Sequence, residues 1–373
     1  MARRKVGKSS AIHERFSGQS REPIPDSISG LILAILALSL HIYPQDSELE
    51  SDRFMNQGQL PNLADIVAAS KRIEGIATKT PIVESPSLSK RFGRRVYLKL
   101  ECFQPIRVFK IRGAYNKISQ LSAKNIVAVS SGNHGMAVAY SSRLLGKKCT
   151  VVLPETAVQE KVNTIIEYGA EVIRYGKYNT DRDARAKEIV NKTGATLVHP
   201  FNDPDIIAGQ GTCGLEIANQ LDDFDSVIVP VGGGGLVSGI STAIKSLRPE
   251  AKVYGVEPQG APKLQAALKA GQIVTLDSPK SIADGLIPSA VGDLTLEACQ
   301  KYVDGVYSVS DDEILAGMKL LVREAHIFPE PSGAAPAAVL LANRDLDRLG
   351  EKVVLVISGG NVSLGLLAKT LNG

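Results

Sequence analysis

A chain of 373 residues with 44% hydrophobic and 22% charged side chains has an ordinary globular composition and room for about two domains. A net charge of +4 over that length, with no basic block interleaved with aromatics, argues against a nucleic-acid partner. Four scattered cysteines (Cys102, Cys149, Cys213 and Cys299) form no C-x-x-C pair, which argues against a disulfide framework or a zinc site and fits a reducing, cytoplasmic setting.

The first 54 residues differ from the rest. Residues 1–25 are basic and Ser-rich, 31–40 form an apolar run (LILAILALSL), and 46–52 are acidic. The run is shorter than the roughly 18–20 residues a spanning helix needs, so a membrane protein is not expected. His41-Ile42-Tyr43-Pro44 follows it in place of a small-x-small cleavage site. Three readings fit: a non-native upstream extension with the start at Met55, a targeting segment, or an interfacial or partner-binding helix. Under each, 1–54 is an N-terminal extension, disordered or non-native, and the folded body begins near Met55.

From there strands and helices alternate. Apolar spacing after Asn62 predicts a helix to Ile73, Val96–Leu100 reads as a strand, and Gly113–Leu121 as a helix. Strands follow at Asn125–Ser130, Lys148–Pro154, Glu171–Tyr175 and Thr196–His199, separated by helices at Met136–Leu145, Val158–Tyr168 and Asp181–Lys192. Ala208–Gln220 is helical, Ser226–Val231 a strand, Leu236–Leu247 a helix, Lys252–Glu257 a strand, and Lys352–Ile357 a last strand. Val/Ile-rich strands alternating with helices predict doubly wound parallel sheets. Little chain follows Ser358, so no C-terminal regulatory domain is expected.

In such sheets ligands sit at the strand-to-helix turns. Four turns here carry unusual residues. Gly232-Gly233-Gly234-Gly235 can cradle a phosphate, because glycines let backbone N–H groups approach an anion at a helix N-terminus. The run matches neither a P-loop nor a dinucleotide fingerprint, so a phosphate monoester is expected. Ser131-Gly132-Asn133-His134-Gly135 can hold a carboxylate or simply cap the next helix. Ser358-Gly359-Gly360-Asn361 places a hydroxyl that can meet a ring nitrogen. Lys110 lies between Phe109 and a helix start, and alone reads as a surface charge.

Taken in order, Phe109–Ala114, Ser130–Gly135, His199–Asp203, Ala208–Thr212, Pro230–Leu236, Ala283–Gly285, Glu330–Ala334 and Ser358–Asn361 resemble the fold-type II pyridoxal-phosphate enzymes, in particular the threonine dehydratase and serine racemase family. The resemblance covers the chain from about Leu63. It implies an α/β fold of two doubly wound parallel-sheet domains, tryptophan synthase β-like, with pyridoxal 5′-phosphate in the cleft between them. The large cofactor-binding domain would be 55–124 plus 203–373, and the small domain 125–202. A homo-oligomer acting on a small amino acid is implied too. Lys110 would hold the cofactor as a Schiff base and take the substrate α-proton. Phe109 and Gly285 would face the pyridine ring, and Asn133 its oxygen. Gly232, Gly233, Gly234, Gly235 and Leu236 would bind the phosphate, and Ser358 the ring nitrogen. Ser130, Ser131, Asn133 and His134 would bind the substrate carboxylate.

A neutral Ser358 makes the ring a weaker electron sink than a carboxylate partner would. More charge then stays on the α-carbon to expel a β-hydroxyl, which favours β-elimination over transamination. The expected reaction is deamination of L-threonine, and of L-serine, to 2-oxobutanoate or pyruvate and ammonia. Ser131 leaves a serine racemase/dehydratase open, since racemisation needs an acid/base on each face. Another 3-hydroxy amino acid, with Ser289 near its side chain, or an inactive cofactor-binding regulator are the further alternatives.

Two more departures stand out. Val108 occupies a position where many members have Ser. Glu257 matches the first acidic ligand of the family's divalent-cation site, but Lys263 falls where an Asp is expected, so Glu257 is only a weak metal candidate and no strong magnesium activation is expected.

Overall fold

Runs of Val, Ile and Leu build two sheets in this computed structural model, which describes residues 58–372 apart from 131, 156, 158, 177, 178 and 344, and apart from the side chains of 179–184. The N-terminal extension with its apolar run, and Ser131, lie outside the described residues. The larger sheet has six strands in the order β1 (Ile82–Glu84), β2 (Arg95–Lys99), β10 (Lys352–Val356), β7 (Ser226–Pro230), β8 (Lys252–Pro258) and β9 (Gly305–Val309). The smaller has four in the order β5 (Glu171–Tyr175), β4 (Lys148–Pro154), β3 (Asn125–Val129) and β6 (Thr196–Leu197).

Thirteen α-helices cover the described chain: α1 (Leu63–Arg72), α2 (Pro86–Phe92), α3 (Ile111–Ser119), α4 (Asn133–Leu144), α5 (Gln159–Glu167), α6 (Asn179–Thr193), α7 (Pro204–Gln220), α8 (Gly235–Leu247), α9 (Lys263–Ala270), α10 (Asp293–Tyr302), α11 (Asp311–Ala325), α12 (Pro331–Ala342) and α13 (Leu364–Asn372). Their starts follow local chemistry. Asn62 and Asp65 form a reciprocal cap on α1, and Asp203 accepts from Asp205 N and Ile206 N ahead of Pro204.

The larger sheet is buried on both faces. In β10, Val353 and Leu355 pack into one apolar cluster with Val96, Leu98 and Ile228. Val354 and Val356 pack into the opposite cluster with Val227 and Val229. This is why its strands read as continuous apolar runs rather than alternating ones.

The expected parallel pairing holds with one exception. β1 runs antiparallel to β2, with Ile82 opposite Lys99. It is an edge strand of three partly exposed residues, where an antiparallel partner is common in otherwise parallel sheets. The sequence reading also passed over α2, α9, α10, β9, α11, α12 and α13. α12 is buried from Pro331 to Leu340, so it has no polar face and no amphipathic period to detect. Among the described residues no helix is long and apolar enough to cross a membrane.

Parallel order matters for the site. The C-terminal ends of β10 and β7 lead directly into Ser358 and Gly232, and β2 leads through a short 3-10 turn (Glu101–Phe103) towards Lys110. In the smaller sheet, β3 leads into Ser130.

Candidate active site

These strand ends meet in a closed ring of contacts. Lys110, at the N-terminus of α3, donates from Nζ to Pro200 O at 2.7 Å. The next residue, Phe201, lies against the glycine turn: a Cβ on Gly233 would fall 2.1 Å from its ring. A Cβ on Gly232 would fall 2.5 Å from Gly285 O, so these two backbones touch. Gly285 N donates to Ser332 Oγ at 3.1 Å, and Glu330, two residues earlier, accepts from Asn133 Nδ2 at 2.8 Å. Glu330 N also donates to Gly359 O, and Phe109 N donates to Ser358 O at 3.1 Å, which returns the ring to Lys110.

The glycine turn suits an anion. Gly234 adopts φ +98°, a conformation that side chains disfavour, as it opens α8. Among the described residues the N–H groups of Gly232, Gly233 and Gly234 donate to nothing, and they stand at the positive end of α8. Ser358 is a buried residue whose carbonyl accepts from Phe109 N, which sets its hydroxyl at the same strand end. Unpaired donors at one turn and a neutral hydroxyl at another fit a phosphorylated ring with a basic nitrogen.

The charges here are unbalanced. Lys110 has no carboxylate partner among the described residues, and burial lowers its pKa to about 8. Its Nζ stands 5.2 Å from the Phe109 ring centre. His134 is buried, and its Nε2 bonds Val198 O at 2.9 Å. Burial, and then the charge of Lys110, push its pKa down to about 3. A neutral ring that donates from Nε2 to Val198 O has only an acceptor left at Nδ1, so any donation by His134 to a carboxylate would come from its backbone. Glu330 is buried with Oε2 unpartnered. Burial, and then the neighbouring Asp284, raise its pKa to about 7.

Ser130 also belongs to this region, and its Oγ accepts from Gly132 N at 3.2 Å. Asn133 is doubly held, since Asn361 Nδ2 donates to its Oδ1 at 2.9 Å. Leu236 is buried in the first turn of α8. Ser289 is exposed, and its carbonyl accepts from Leu276 N. Glu257 is paired with Lys263 at 2.9 Å, and among the described residues no group of three His, Cys, Asp or Glu could hold a metal ion.

Glu330 and Asn361 were missed as functional candidates. Both lie in stretches that carried the family resemblance, and that was the available signal. Val108, unexplained from sequence, is a core residue: it is fully buried beside Ile106 and Ile111, and its backbone bridges to Gly359.

The two sheets and the turns between them define an α/β cofactor enzyme. The family described as "Pyridoxal-phosphate dependent enzyme" matches residues 73–359, and the chain belongs to it. Its fold is fold type II, tryptophan synthase β-like, and its cofactor is pyridoxal 5′-phosphate. The L-threonine ammonia-lyase of Thermotoga maritima is 41% identical over 83% of this chain and 78% of its own length. A serine racemase of Dictyostelium discoideum is 41% identical over 83% of this chain and 98% of its own. A solved maize serine racemase superposes with a TM-score of 0.80 at 36% identity, over 84% of this chain and 97% of that one.

Proposed function

We propose that the chain is an ammonia-lyase that eliminates water from a β-hydroxy amino acid, foremost L-threonine and also L-serine, to give an enamine that water then hydrolyses to a 2-oxo acid and ammonia. The observation that carries this reading is Ser358, a buried neutral hydroxyl at the end of β10. When bound, pyridoxal phosphate withdraws electrons from the substrate α-carbon so that its proton becomes removable. Ser358 limits that withdrawal and leaves charge to expel the β-hydroxyl.

The chain's own groups divide the remaining work. The N–H groups of Gly232, Gly233, Gly234, Gly235 and Leu236 bind the phosphate. Phe109 and Gly285 would flank the ring, and Asn133, which Glu330 and Asn361 hold in place, would meet its oxygen. Lys110 anchors the cofactor covalently and then takes the α-proton; its lowered pKa gives a useful fraction of free amine near neutrality. The proton it has taken is available to the departing hydroxyl. Ser130, Ser131, Asn133 and His134 form the carboxylate turn. The names of the relatives support an ammonia-lyase. The Dictyostelium relative keeps a second reading, a serine racemase/dehydratase that uses Ser131 on the opposite face.

The test incubates the holoenzyme with L-threonine, L-serine and D-serine while 2-oxo acid and D-serine are followed. Oxobutanoate without racemisation is expected. D-serine formed from L-serine would move the assignment to the second reading. A yellow protein that forms no product from any hydroxyamino acid would make it a cofactor-binding regulator. Borohydride reduction followed by peptide mapping should tag Lys110. Four buried free cysteines support a cytoplasmic enzyme. The homo-oligomeric state rests on the resemblance and is read by sedimentation.

A further inference from the structure

The ring of the site has a second, outer support. Lys263 is the first residue of α9, a position where the helix dipole disfavours a cation. It is nevertheless fully buried, and four oxygens surround its Nζ. They are Val231 O at 3.1 Å, Glu257 Oε1 at 2.9 Å, Ala261 O at 3.1 Å and Leu286 O at 3.0 Å. An ammonium has only three protons, so this is an oxygen cage as much as a set of hydrogen bonds. Glu257 is held in turn: its Oε1 accepts from Leu264 N at 2.8 Å and its Oε2 from Gln265 N at 3.0 Å.

The location of two cage oxygens gives the cage its meaning. Val231 directly precedes Gly232, and Leu286 directly follows Gly285. Gly232 and Gly285 are the pair whose backbones touch. One charge therefore clamps the start of the phosphate turn to the segment that faces the cofactor ring. A neutral group at this point would take a donor from three carbonyls and leave the Glu257 carboxylate, still held by Leu264 N and Gln265 N, buried without its counter-charge.

We infer that the Lys263 ammonium is a built-in cation that positions the Gly232 turn against the Gly285 segment, and that its removal leaves an oxygen cage which a free monovalent cation can fill. Lys263 is thus a positioning residue for cofactor binding. It touches neither substrate nor cofactor, and its role is independent of which amino acid is the substrate. Carbonyls and one carboxylate are hard oxygen donors, and K+ or NH4+ replaces an alkylammonium with little change in size or charge.

The experiment reads pyridoxal phosphate affinity, by absorbance titration, and the thermal midpoint of the holoenzyme. Buffers contain K+, NH4+ or tetramethylammonium at one ionic strength of about 0.1 M. The wild type should bind the cofactor equally in all three and in the presence of chelator. Lys263→Ala should lose about ten- to a hundredfold in affinity in tetramethylammonium and recover most of it in K+ or NH4+. Wild-type affinity of Lys263→Ala in tetramethylammonium would overturn the proposal, and so would a loss that no small cation restores. If that variant does not fold, the double variant Lys263→Met/Glu257→Gln keeps the volume without charge. It should bind the cofactor weakly with no cation response, and wild-type affinity there would equally overturn the proposal.

Discussion

Two groups of buried charge lie on either side of the start of α3, and they are built on opposite rules. Behind it, Arg112 donates to Glu101 at 2.7 Å and to Glu216 at 2.6 Å, and Lys99 donates to Glu216 at 2.5 Å. Thr80, Gln104, Thr212 and Gln220 complete the hydrogen bonding. In front, Lys110, His134 and Glu330 are held by carbonyls and amides and, among the described residues, form no ion pair. Burial alone would raise the pKa of Glu101, but the guanidinium beside it brings the value down to about 2. At the front groups desolvation outweighs what compensation there is, a hydrogen bond to His134 and a hydrogen bond and the Lys161 charge at Glu330, and drives each towards its neutral form. Similar burial thus yields a permanent charge where a partner is supplied and a neutralisable group where it is withheld. Chemistry needs the second kind, and the first kind holds it in place.

The comparison can be broken most severely at Lys110. Lys110→Met should lower turnover by about ten-thousandfold or more, read as 2-oxo acid formation. The same variant should raise the thermal midpoint of the cofactor-free protein at pH 7. The folded-state pKa is depressed from 10.5 to about 8, so the burden of the charge is full below 8 and fades as pH approaches 10.5. A stabilising effect that is equal at pH 7 and pH 10.5 would refute the charge argument.

Removing a partner behind the site should act in the other direction. Arg112→Met leaves Glu101 and Glu216 uncompensated and should cost about 3–5 kcal/mol in urea denaturation. Glu330→Gln sharpens the contrast within the front group. The pKa of Glu330 is raised, so its contribution is complete below the ordinary 4.5 and is lost as pH climbs through about 7. The cofactor-free variant should match wild type near pH 5 and exceed its midpoint at pH 8. The smallest effect is expected at the cleft edge, where Lys161 pairs with the half-exposed Asp284. Lys161→Ala should cost under about 1 kcal/mol, and added salt should erase even that.

Local features made much of this legible. The apolar strands and the glycine turns announce themselves because a buried parallel strand and an anion-binding turn each constrain a short stretch of sequence. Lys110 became readable only through the order of the turns downstream of it. Glu330 did not, because what distinguishes it is a partner that is missing, and packing decides that. Asn361 reaches Asn133 across 228 residues of chain, a pairing that no local pattern encodes. Lys263 stands out in the sequence as a residue of the wrong sign for a metal ligand, but two of its four oxygens, Val231 O and Leu286 O, come from segments 32 and 23 residues away. The antiparallel β1 escaped because three partly exposed residues carry too little pattern.

The place of β10 in the larger sheet bears on how the enzyme is made. β10 lies between β2 and β7, and Lys352 pairs with Arg95 from the far end of the chain. At roughly 5–20 residues per second, β2 waits on the order of ten seconds or more for its neighbour to leave the ribosome. Until then β2 has one edge unpaired, and Ser358 has not been synthesised. Completion of the site therefore waits on synthesis of β10, and until then the open edge of β2 is a template for pairing with another strand.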